Sequence, residues 1–394
     1  MTVFCEAVEY CKRSPSVSIL VGFGATYAAY YILYVVRKPF IACRDDRLRK
    51  FLQRYCPAVN SKFWPTFWCF ESRAQTVLRA LWKKRPKFTY QHEMLTTPDG
   101  GEIKLDWFHN EENSRWEANV RPTVLLLPGL TGSSGESYIL SAVHEATTAG
   151  YRTVVFNNRG MGGATLKTPR TYCASNTEDM SLVVQRIKGQ FPEAPLFAAG
   201  FSLGGMILFN YLAKTGKECG ILGGMVASVP WDVFESSKVL EQPINRFLYN
   251  QPLARNLCAA VRRNIELFEQ HFDMDHVLQS ATIREFDERF TTKMFGYQTC
   301  DDYYKESNLH YKIHHIEVPL ICINAADDAF SPYHTIPLKD ADDSHNVAII
   351  VTSHGGHIGF LEGLNPFTNP TFLDKMFRQF SRAIFENGQE LQSS

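Results

Sequence analysis

Residues 200–204, Gly200-Phe-Ser-Leu-Gly204, lie between a predicted strand and a predicted helix, and this stretch decides the fold. The apolar run Leu196–Ala199 predicts the strand, and Met206–Leu212 has the pattern of a helix. The glycines let the chain reverse sharply while Ser202 projects from the apex, which is typical of a nucleophile elbow. Ser202 is therefore the candidate nucleophile. The backbone amide of Leu203, at the helix N-terminus, is a candidate donor to a developing oxyanion.

A histidine able to activate Ser202 follows the apolar run Val347–Val351. A serine hydroxyl is a weak nucleophile and needs an oriented imidazole base. His357 is the candidate, because the preceding glycine pair lets the loop bring it over the sheet edge. His354 is interpreted as a supporting residue or as a loop histidine whose hydrogen bonds are satisfied. The His-x-x-His spacing lacks the carboxylate framework of a metal site, so we expect no metal.

The acid that orients the histidine is expected after the predicted strand Pro319–Asn324, in the chain order serine, acid, histidine. Two aspartates, Asp327 and Asp328, are available there. Asp328 is preferred because it lies four residues before Pro332. Asp327 is the alternative acid, or a solvated turn residue.

A second oxyanion donor is expected after the short apolar strand Val124–Leu127. There Gly129 allows close backbone approach, and the amide of Leu130 is the candidate donor. The alternative is an ordinary tight turn between strand and helix. The glycine-rich loop Asn158–Gly163 completes no phosphate-binding motif and is expected to shape the nearby sheet edge.

Short apolar runs alternate with helical patterns along the body of the chain, which predicts a mainly parallel sheet with helices on both faces. Residues 231–312 interrupt this alternation with helix-forming sequence and predict a helical cap. The predicted strands are Phe88–Leu95, Glu102–Phe108, Val124–Leu127, Tyr151–Phe156, Pro195–Ala199, Ile221–Ser228, Pro319–Asn324 and Val347–Val351. The predicted helices of the sheet layers are Ser137–Ala149, Thr177–Gly189 and Gly204–Lys214.

The chain has no charged residue from Ser14 to Val36. A helix over this run, rising about 1.5 Å per residue, is long enough to cross a hydrocarbon core of about 30 Å. We expect a single transmembrane anchor, since a signal peptide would be shorter and end at small residues. Positive charges are more numerous after the run than before it, where only Lys12 and Arg13 flank it, which favours a cytoplasmic C-terminal body.

An aromatic cluster lies in the segment 37–85, between this anchor and the body. It has two interpretations, an interfacial patch held against lipid or packing onto the core or cap. Its members are Phe63, Trp64, Phe67, Trp68 and Phe70.

Composition excludes several classes of protein. Lys plus Arg (41) equals Asp plus Glu (41), so the chain lacks the basic surface of a nucleic-acid binder. The 10 cysteines are scattered and are expected to be free thiols. No cofactor motif is present, and neither a cofactor nor an obligate protein partner is expected.

Together, these motifs resemble the α/β-hydrolase superfamily, and within it the membrane-anchored AB hydrolase 4 family. The resemblance rests on the anchor, residues 127–132, 158–163 and 200–205, and residues 354–360 around the candidate histidine. It implies a single-pass serine esterase that cleaves acyl esters of phosphatidylcholine in the bilayer, of phospholipase A1 or A2 type, favouring medium-chain or oxidatively truncated acyl groups. Members of the family are described with a cytoplasmic N-terminus, opposite to the charge count, so the orientation stays open. Ala329 departs from the proline that many members carry after the acid, which bears on the choice between Asp327 and Asp328.

Another carboxylesterase acting on lipid esters remains as an alternative, and so do two functions other than ester hydrolysis. An acyltransferase would differ only in the acceptor of the acyl group, but no histidine here has an aspartate five positions later. A non-catalytic lipid-binding protein would need an incomplete set of catalytic residues. The expected organisation is a tail (1–13), an anchor (14–36), a connecting segment (37–85), a hydrolase domain (86–386) with its cap (231–312), and a C-terminal tail (387–394).

Overall fold

The computed structural model describes residues 15–44, 47–83 and 86–392. The predicted N-terminal tail, with Lys12 and Arg13, and the first residue of the predicted anchor, Ser14, lie outside these residues.

A nine-stranded sheet forms the centre of the domain, in the order β1-β9-β8-β7-β6-β4-β5-β3-β2. Strands β4 to β9 are mutually parallel. At the edges, β1 pairs antiparallel with β9, β3 with β5, and β2 with β3. The strands are β1 Phe40–Ala42, β2 Gln91–Thr96, β3 Glu102–Phe108, β4 Thr123–Leu127, β5 Arg152–Asn157, β6 Leu196–Phe201, β7 Gly223–Ala227, β8 Leu320–Ala325 and β9 Val347–Thr352.

The predicted α/β-hydrolase architecture, with a mainly parallel sheet, is confirmed. The central strands are buried on both faces, and their side chains alternate between two cores. On β4, for example, Leu125 and Leu127 pack on one face, whereas Val124 and Leu126 pack on the other. Such strands need a layer of helices on each side, which explains their continuous apolar sequence.

Helices cover both faces and build the cap. The helices are α1 Pro15–Tyr30, α2 Arg47–Tyr55, α3 Ser72–Trp82, α4 Ser137–Thr148, α5 Glu178–Gln190, α6 Leu203–Thr215, α7 Val233–Leu240, α8 Pro243–Asn245, α9 Gln251–Arg262, α10 Ile265–Phe268, α11 Met274–Leu278, α12 Ile283–Phe286, α13 Thr292–Met294, α14 Cys300–Ser307, α15 Leu338–Asp343, α16 Phe372–Asn387 and α17 Gln389–Gln392. Helices α5 and α6 pack on one face of the sheet, and α4 and α16 on the other. Helices α7 to α14 occupy the interval of the predicted cap, and part of this interval has its own core around Phe268 and Phe290.

Two strands differ from the prediction by more than two residues at a boundary. Strand β1 is not predicted from the sequence, because its three residues are too few for a periodic pattern. Its pairing with β9 alone defines it. The first predicted strand begins at Gln91 rather than Phe88. Gln91 pairs with Trp107, and β3 ends one residue later, so the preceding residues have no partner strand.

Helix α1 continues as a π-helix over Tyr31–Val35. The helical segment Ser18–Val35 is long and apolar enough to cross a membrane, with a mean hydropathy of 1.4. The side chains of Leu20 and Phe23 are 71% and 78% exposed. A helix with this exposed apolar surface is a candidate membrane anchor. All eight cysteines in the described ranges are buried, and seven of them are free thiols: Cys56, Cys69, Cys173, Cys219, Cys258, Cys300 and Cys322.

The aromatic cluster has a buried part, as the packing interpretation predicts, and an exposed part, whose contact with lipid stays a prediction. Phe63 is buried and packs on the ring of Phe372. Trp64, Phe67 and Trp68 are exposed next to the end of α1.

Candidate active site

Ser202 lies at the tight turn between β6 and α6, with φ 51° and ψ −122°. A backbone conformation with positive φ is strained in a residue other than glycine, and two hydrogen bonds hold Ser202 in this conformation. The N–H of Ser202 donates to the Ala227 carbonyl at 2.8 Å, and its carbonyl accepts from Met206 N–H at 3.0 Å. Gly204 is needed because a Cβ there would lie 2.3 Å from the carbonyl oxygen of Pro128.

His357 connects Ser202 to an aspartate at the end of β8. Its Nε2 lies 2.9 Å from Ser202 Oγ, and its Nδ1 lies 3.0 Å from Asp328 Oδ2. The Asp328 carboxylate accepts from Nδ1–H, which assigns the tautomer that leaves Nε2 free to accept the serine proton. The carboxylate is fully buried, whereas the imidazole keeps 10% of its surface exposed. The arrangement can activate a hydroxyl for nucleophilic attack.

Of the two candidate aspartates, Asp328 contacts the imidazole and Asp327 does not. Asp328 Oδ1 also accepts from Phe330 N–H at 2.8 Å. Asp327 Oδ1 instead accepts from Gly356 N–H at 2.9 Å. Burial, reinforced by the charge of Asp328, raises the pKa of Asp327 to about 7. Asp327 therefore supports the backbone of the loop after β9 that carries His357, which we call the histidine loop.

The two candidate oxyanion donors lie on either side of Ser202. Leu203 is the first residue of α6, where backbone N–H groups have no acceptor within the helix. Leu130 lies in the loop after β4, and a Cβ on the adjacent Gly129 would lie 3.3 Å from Ser202 Cβ. The N–H groups before and after Leu130, those of Gly129 and Thr131, donate to the hydroxyls of Tyr138 and Tyr172, each at 3.0 Å.

Helix α3 supports the histidine loop through contacts that are not predicted from the sequence. The N–H of His357 donates to Thr76 Oγ1 at 2.9 Å. The side chain of Gln75 accepts from Leu361 N–H at 2.6 Å. On the opposite side, the ring of Phe330 stacks on the imidazole at a centroid distance of 4.0 Å. These contacts join residues far apart in the chain, so no local pattern signals them.

His354, interpreted from the sequence as a supporting residue or a satisfied loop histidine, lies next to the aromatic cluster. Its ring packs edge-on against Phe70 at 5.6 Å. Burial lowers its pKa. The neighbouring Ser353 hydroxyl donates to the Val35 carbonyl at 2.9 Å, so this loop also contacts the end of the N-terminal helix.

The sequence model of the alpha/beta hydrolase fold family matches residues 122–364, which contain Ser202, Asp328 and His357. The chain belongs to the α/β-hydrolase family. It is 46% identical over 385 residues to phospholipase ABHD3 of Homo sapiens, covering 98% of this chain and 94% of that protein. It is 46% identical over 377 residues to phospholipase ABHD3 of Bos taurus, covering 95% and 92%. Protein abhd-3.2 of Caenorhabditis elegans is 37% identical, covering 86% of this chain and 90% of that protein.

The predicted enzyme class is confirmed at this level: this α/β-hydrolase is a hydrolase acting on esters. A cavity of about 680 Å³ lies above Ser202, between the sheet edge and the cap. Apolar residues from α3 and the cap, such as Val77, Leu240 and Leu253, line much of it. Asp287, a buried acid of the cap, also lies in the wall, and burial raises its pKa to about 7.

The glycine-rich loop of this α/β-hydrolase, residues 158–163, is fixed by ion pairs. Buried Arg159 binds Asp99 at 2.6 Å and Asp179 at 2.7 Å. It thereby joins the β2–β3 turn to α5. Met161 of the same loop lines the cavity, so the loop shapes the site through packing.

Proposed function

We propose that the protein is a membrane-anchored serine hydrolase that cleaves acyl esters of phospholipids. The observation that carries the proposal is the Ser202–His357–Asp328 chain of hydrogen bonds opening onto an apolar cavity. The high identity to proteins named phospholipase ABHD3, over nearly the whole chain, supports the substrate class.

Ser202 Oγ attacks the acyl carbonyl carbon while His357 Nε2 takes the hydroxyl proton. The amides of Leu203 and Leu130 donate to the oxyanion of the tetrahedral intermediate. When the ester C–O bond breaks, the leaving alkoxide takes the proton from His357. Water then attacks the acyl-enzyme with His357 again acting as base, and the fatty acid leaves. Asp328 holds Nδ1–H throughout and stabilises the imidazolium.

The proposed substrate is a phosphatidylcholine with a medium-length or oxidatively truncated acyl chain, cleaved by a phospholipase A1 or A2 reaction. The cavity volume of about 680 Å³ lies within the range of sites for a single small ligand of 300–1,000 Å³. One short acyl chain and its ester fit this space, while the rest of the lipid stays outside. The apolar helix Ser18–Val35 would hold the site beside such lipids.

The test compares Ser202→Ala with Ser181→Ala, which removes a hydroxyl on the outer helix α5. We expect the wild type and Ser181→Ala to react with a fluorophosphonate probe and to release fatty acid from phosphatidylcholine. Ser202→Ala should do neither. Retained labelling of Ser202→Ala would remove the serine from its proposed role. Transfer of the acyl group to an added glycerolipid, in place of fatty acid release, would favour acyl transfer.

A further inference from the structure

The segment 64–68 packs directly on the end of the apolar N-terminal helix. The ring of Phe67 contacts the rings of Tyr27 and Tyr31 at centroid distances of 4.9 and 5.0 Å. The hydroxyl of Tyr31 donates to the Pro65 carbonyl at 2.6 Å. Tyrosine rings near the end of a spanning helix lie at the level of the lipid headgroups. The segment therefore lies at the same depth, if the helix crosses a bilayer.

A continuous set of apolar side chains leads from this segment to helix α3. Phe367 connects the two, because its ring lies 5.9 Å from that of Trp68 and 6.0 Å from that of Trp82. Most of these side chains are exposed, including Leu364 at 80% and Trp82 at 62%. We call this set the aromatic surface, and its members are Trp64, Phe67, Trp68, Leu81, Trp82, Leu364 and Phe367. Contiguous exposed apolar side chains of this kind are typical of an interaction surface.

Lys83, which follows Trp82 in the chain, does not interrupt the aromatic surface. Lys83 is buried, and its ammonium donates to the carbonyl oxygens of Pro366 and Asn369. Burial lowers its pKa to about 8. The ammonium group of Lys83 therefore lies inside the protein. Its hydrogen bonds hold the loop that carries Leu364 and Phe367 against the end of α3.

The aromatic surface reaches the rim of the cavity at Leu81, which lines the cavity although 66% of its side chain is exposed. The cap lies against the same helix, since Arg73 Nε donates to Asn245 Oδ1 at 3.3 Å. In that part of the cap, Leu248 lines the cavity, and the adjacent Phe247 is 69% exposed. The helix and the cap segment beside it thus both carry exposed apolar side chains next to residues that line the cavity.

We propose that the aromatic surface is immersed in one leaflet of the bilayer and that the acyl chain of a membrane lipid enters the cavity from the leaflet, past Leu81. This inference rests on the proposed membrane anchor and lipid substrate. The occupant of the surface is lipid, because the surface continues the contact between α1 and the segment 64–68. A lipid entering here moves from hydrocarbon into an apolar cavity without exposing its chain to water.

Bilayer contact is tested on the full chain carrying Ser202→Ala, so that the lipid stays intact. The chain is reconstituted in phosphatidylcholine vesicles with bromine atoms on the acyl chains, which quench tryptophan fluorescence on contact. We expect strong quenching, reduced at least twofold in a chain that also carries Trp64→Phe, Trp68→Phe and Trp82→Phe. Absence of quenching, or equal fractional quenching in both chains, would overturn the proposal.

Entry from the leaflet is tested with Trp82→Glu in the active chain. The control is Met94→Glu, which replaces an exposed apolar residue on β2, the strand at the edge of the sheet away from β1. We expect Trp82→Glu to lower turnover of vesicle phosphatidylcholine at least tenfold and turnover of a soluble butyrate ester by less than twofold. The control should change neither rate. The proposal would be overturned if Trp82→Glu hydrolysed vesicle lipid at the wild-type rate, or if its rates on the two substrates fell by the same factor. Bromolipid quenching in a wild-type chain that hydrolyses no lipid would instead refute the proposed function and leave the aromatic surface standing.

Discussion

The aspartate pair at the end of β8 allows the proposed mechanism to be tested by two neighbouring substitutions. In Asp328→Asn the amide oxygen is expected at the Oδ1 position, where it keeps the 2.8 Å hydrogen bond from Phe330 N–H. The amide NH₂ then takes the Oδ2 position, 3.0 Å from His357 Nδ1. Two donors cannot face each other, so the imidazole moves its proton to Nε2. That nitrogen lies 2.9 Å from Ser202 Oγ and can no longer accept its proton.

The wrong tautomer is expected to lower kcat by about 10⁴-fold, the effect measured for this exchange in another serine hydrolase. At about 1.4 kcal/mol per tenfold, the barrier rises by between 5 and 6 kcal/mol, roughly. The assay is turnover of a soluble ester, followed in parallel by the rate of fluorophosphonate labelling. An unchanged melting temperature would show that the fold is intact.

Asp327→Asn is the matched control, one residue away. Its amide can keep the hydrogen bond from Gly356 N–H, which Asp327 Oδ1 accepts at 2.9 Å. Because burial raises the pKa of Asp327 to about 7, a neutral side chain replaces one that is already partly protonated near neutral pH. Activity should remain within about tenfold of the wild type, since no contact with the imidazole is lost. A reversed result, with Asp327→Asn inactive and Asp328→Asn active, would refute the assignment of the acid.

Two further predictions concern stability. Burial raises the pKa of Asp287 to about 7, so its favourable contribution to folding is complete below the unfolded pKa of about 4 and is lost as pH rises through 7. Asp287→Asn should therefore gain stability relative to the wild type from pH 5 to pH 8, by up to about 3 kcal/mol in urea unfolding, and a constant difference would contradict this. Gly204→Ala places a Cβ 2.3 Å from the Pro128 carbonyl oxygen and should destabilise the fold by about 3 kcal/mol. Gly189→Ala, where a Cβ meets nothing within 4 Å, should stabilise α5 by about 0.5–1 kcal/mol, and equal melting temperatures for the two variants would refute the packing argument.

The local sequence was sufficient to predict the parallel sheet and the elbow. Strand β3 has the predicted bounds, Glu102–Phe108, because alternation and the flanking turn are local signals. The Gly-Phe-Ser-Leu-Gly stretch predicts the strand, the turn and the helix that hold Ser202. The order serine, acid, histidine leads to His357 and to the pair Asp327 and Asp328, of which Asp328 is preferred for its spacing to Pro332. The structure brings these three side chains within hydrogen-bond distance. Their catalytic role remains a prediction.

Only the tertiary structure decided which distant segments meet. Thr76 and Gln75 hold the histidine loop across more than 280 positions of chain, and neither residue stands out by type or spacing. The aromatic cluster divides into a buried Phe63 and an exposed surface because of what packs beside each ring, which periodicity cannot specify. Local patterns arise from contacts between near neighbours along the chain, whereas the rim of the cavity and the support of His357 arise from contacts that exist only once the sheet has assembled.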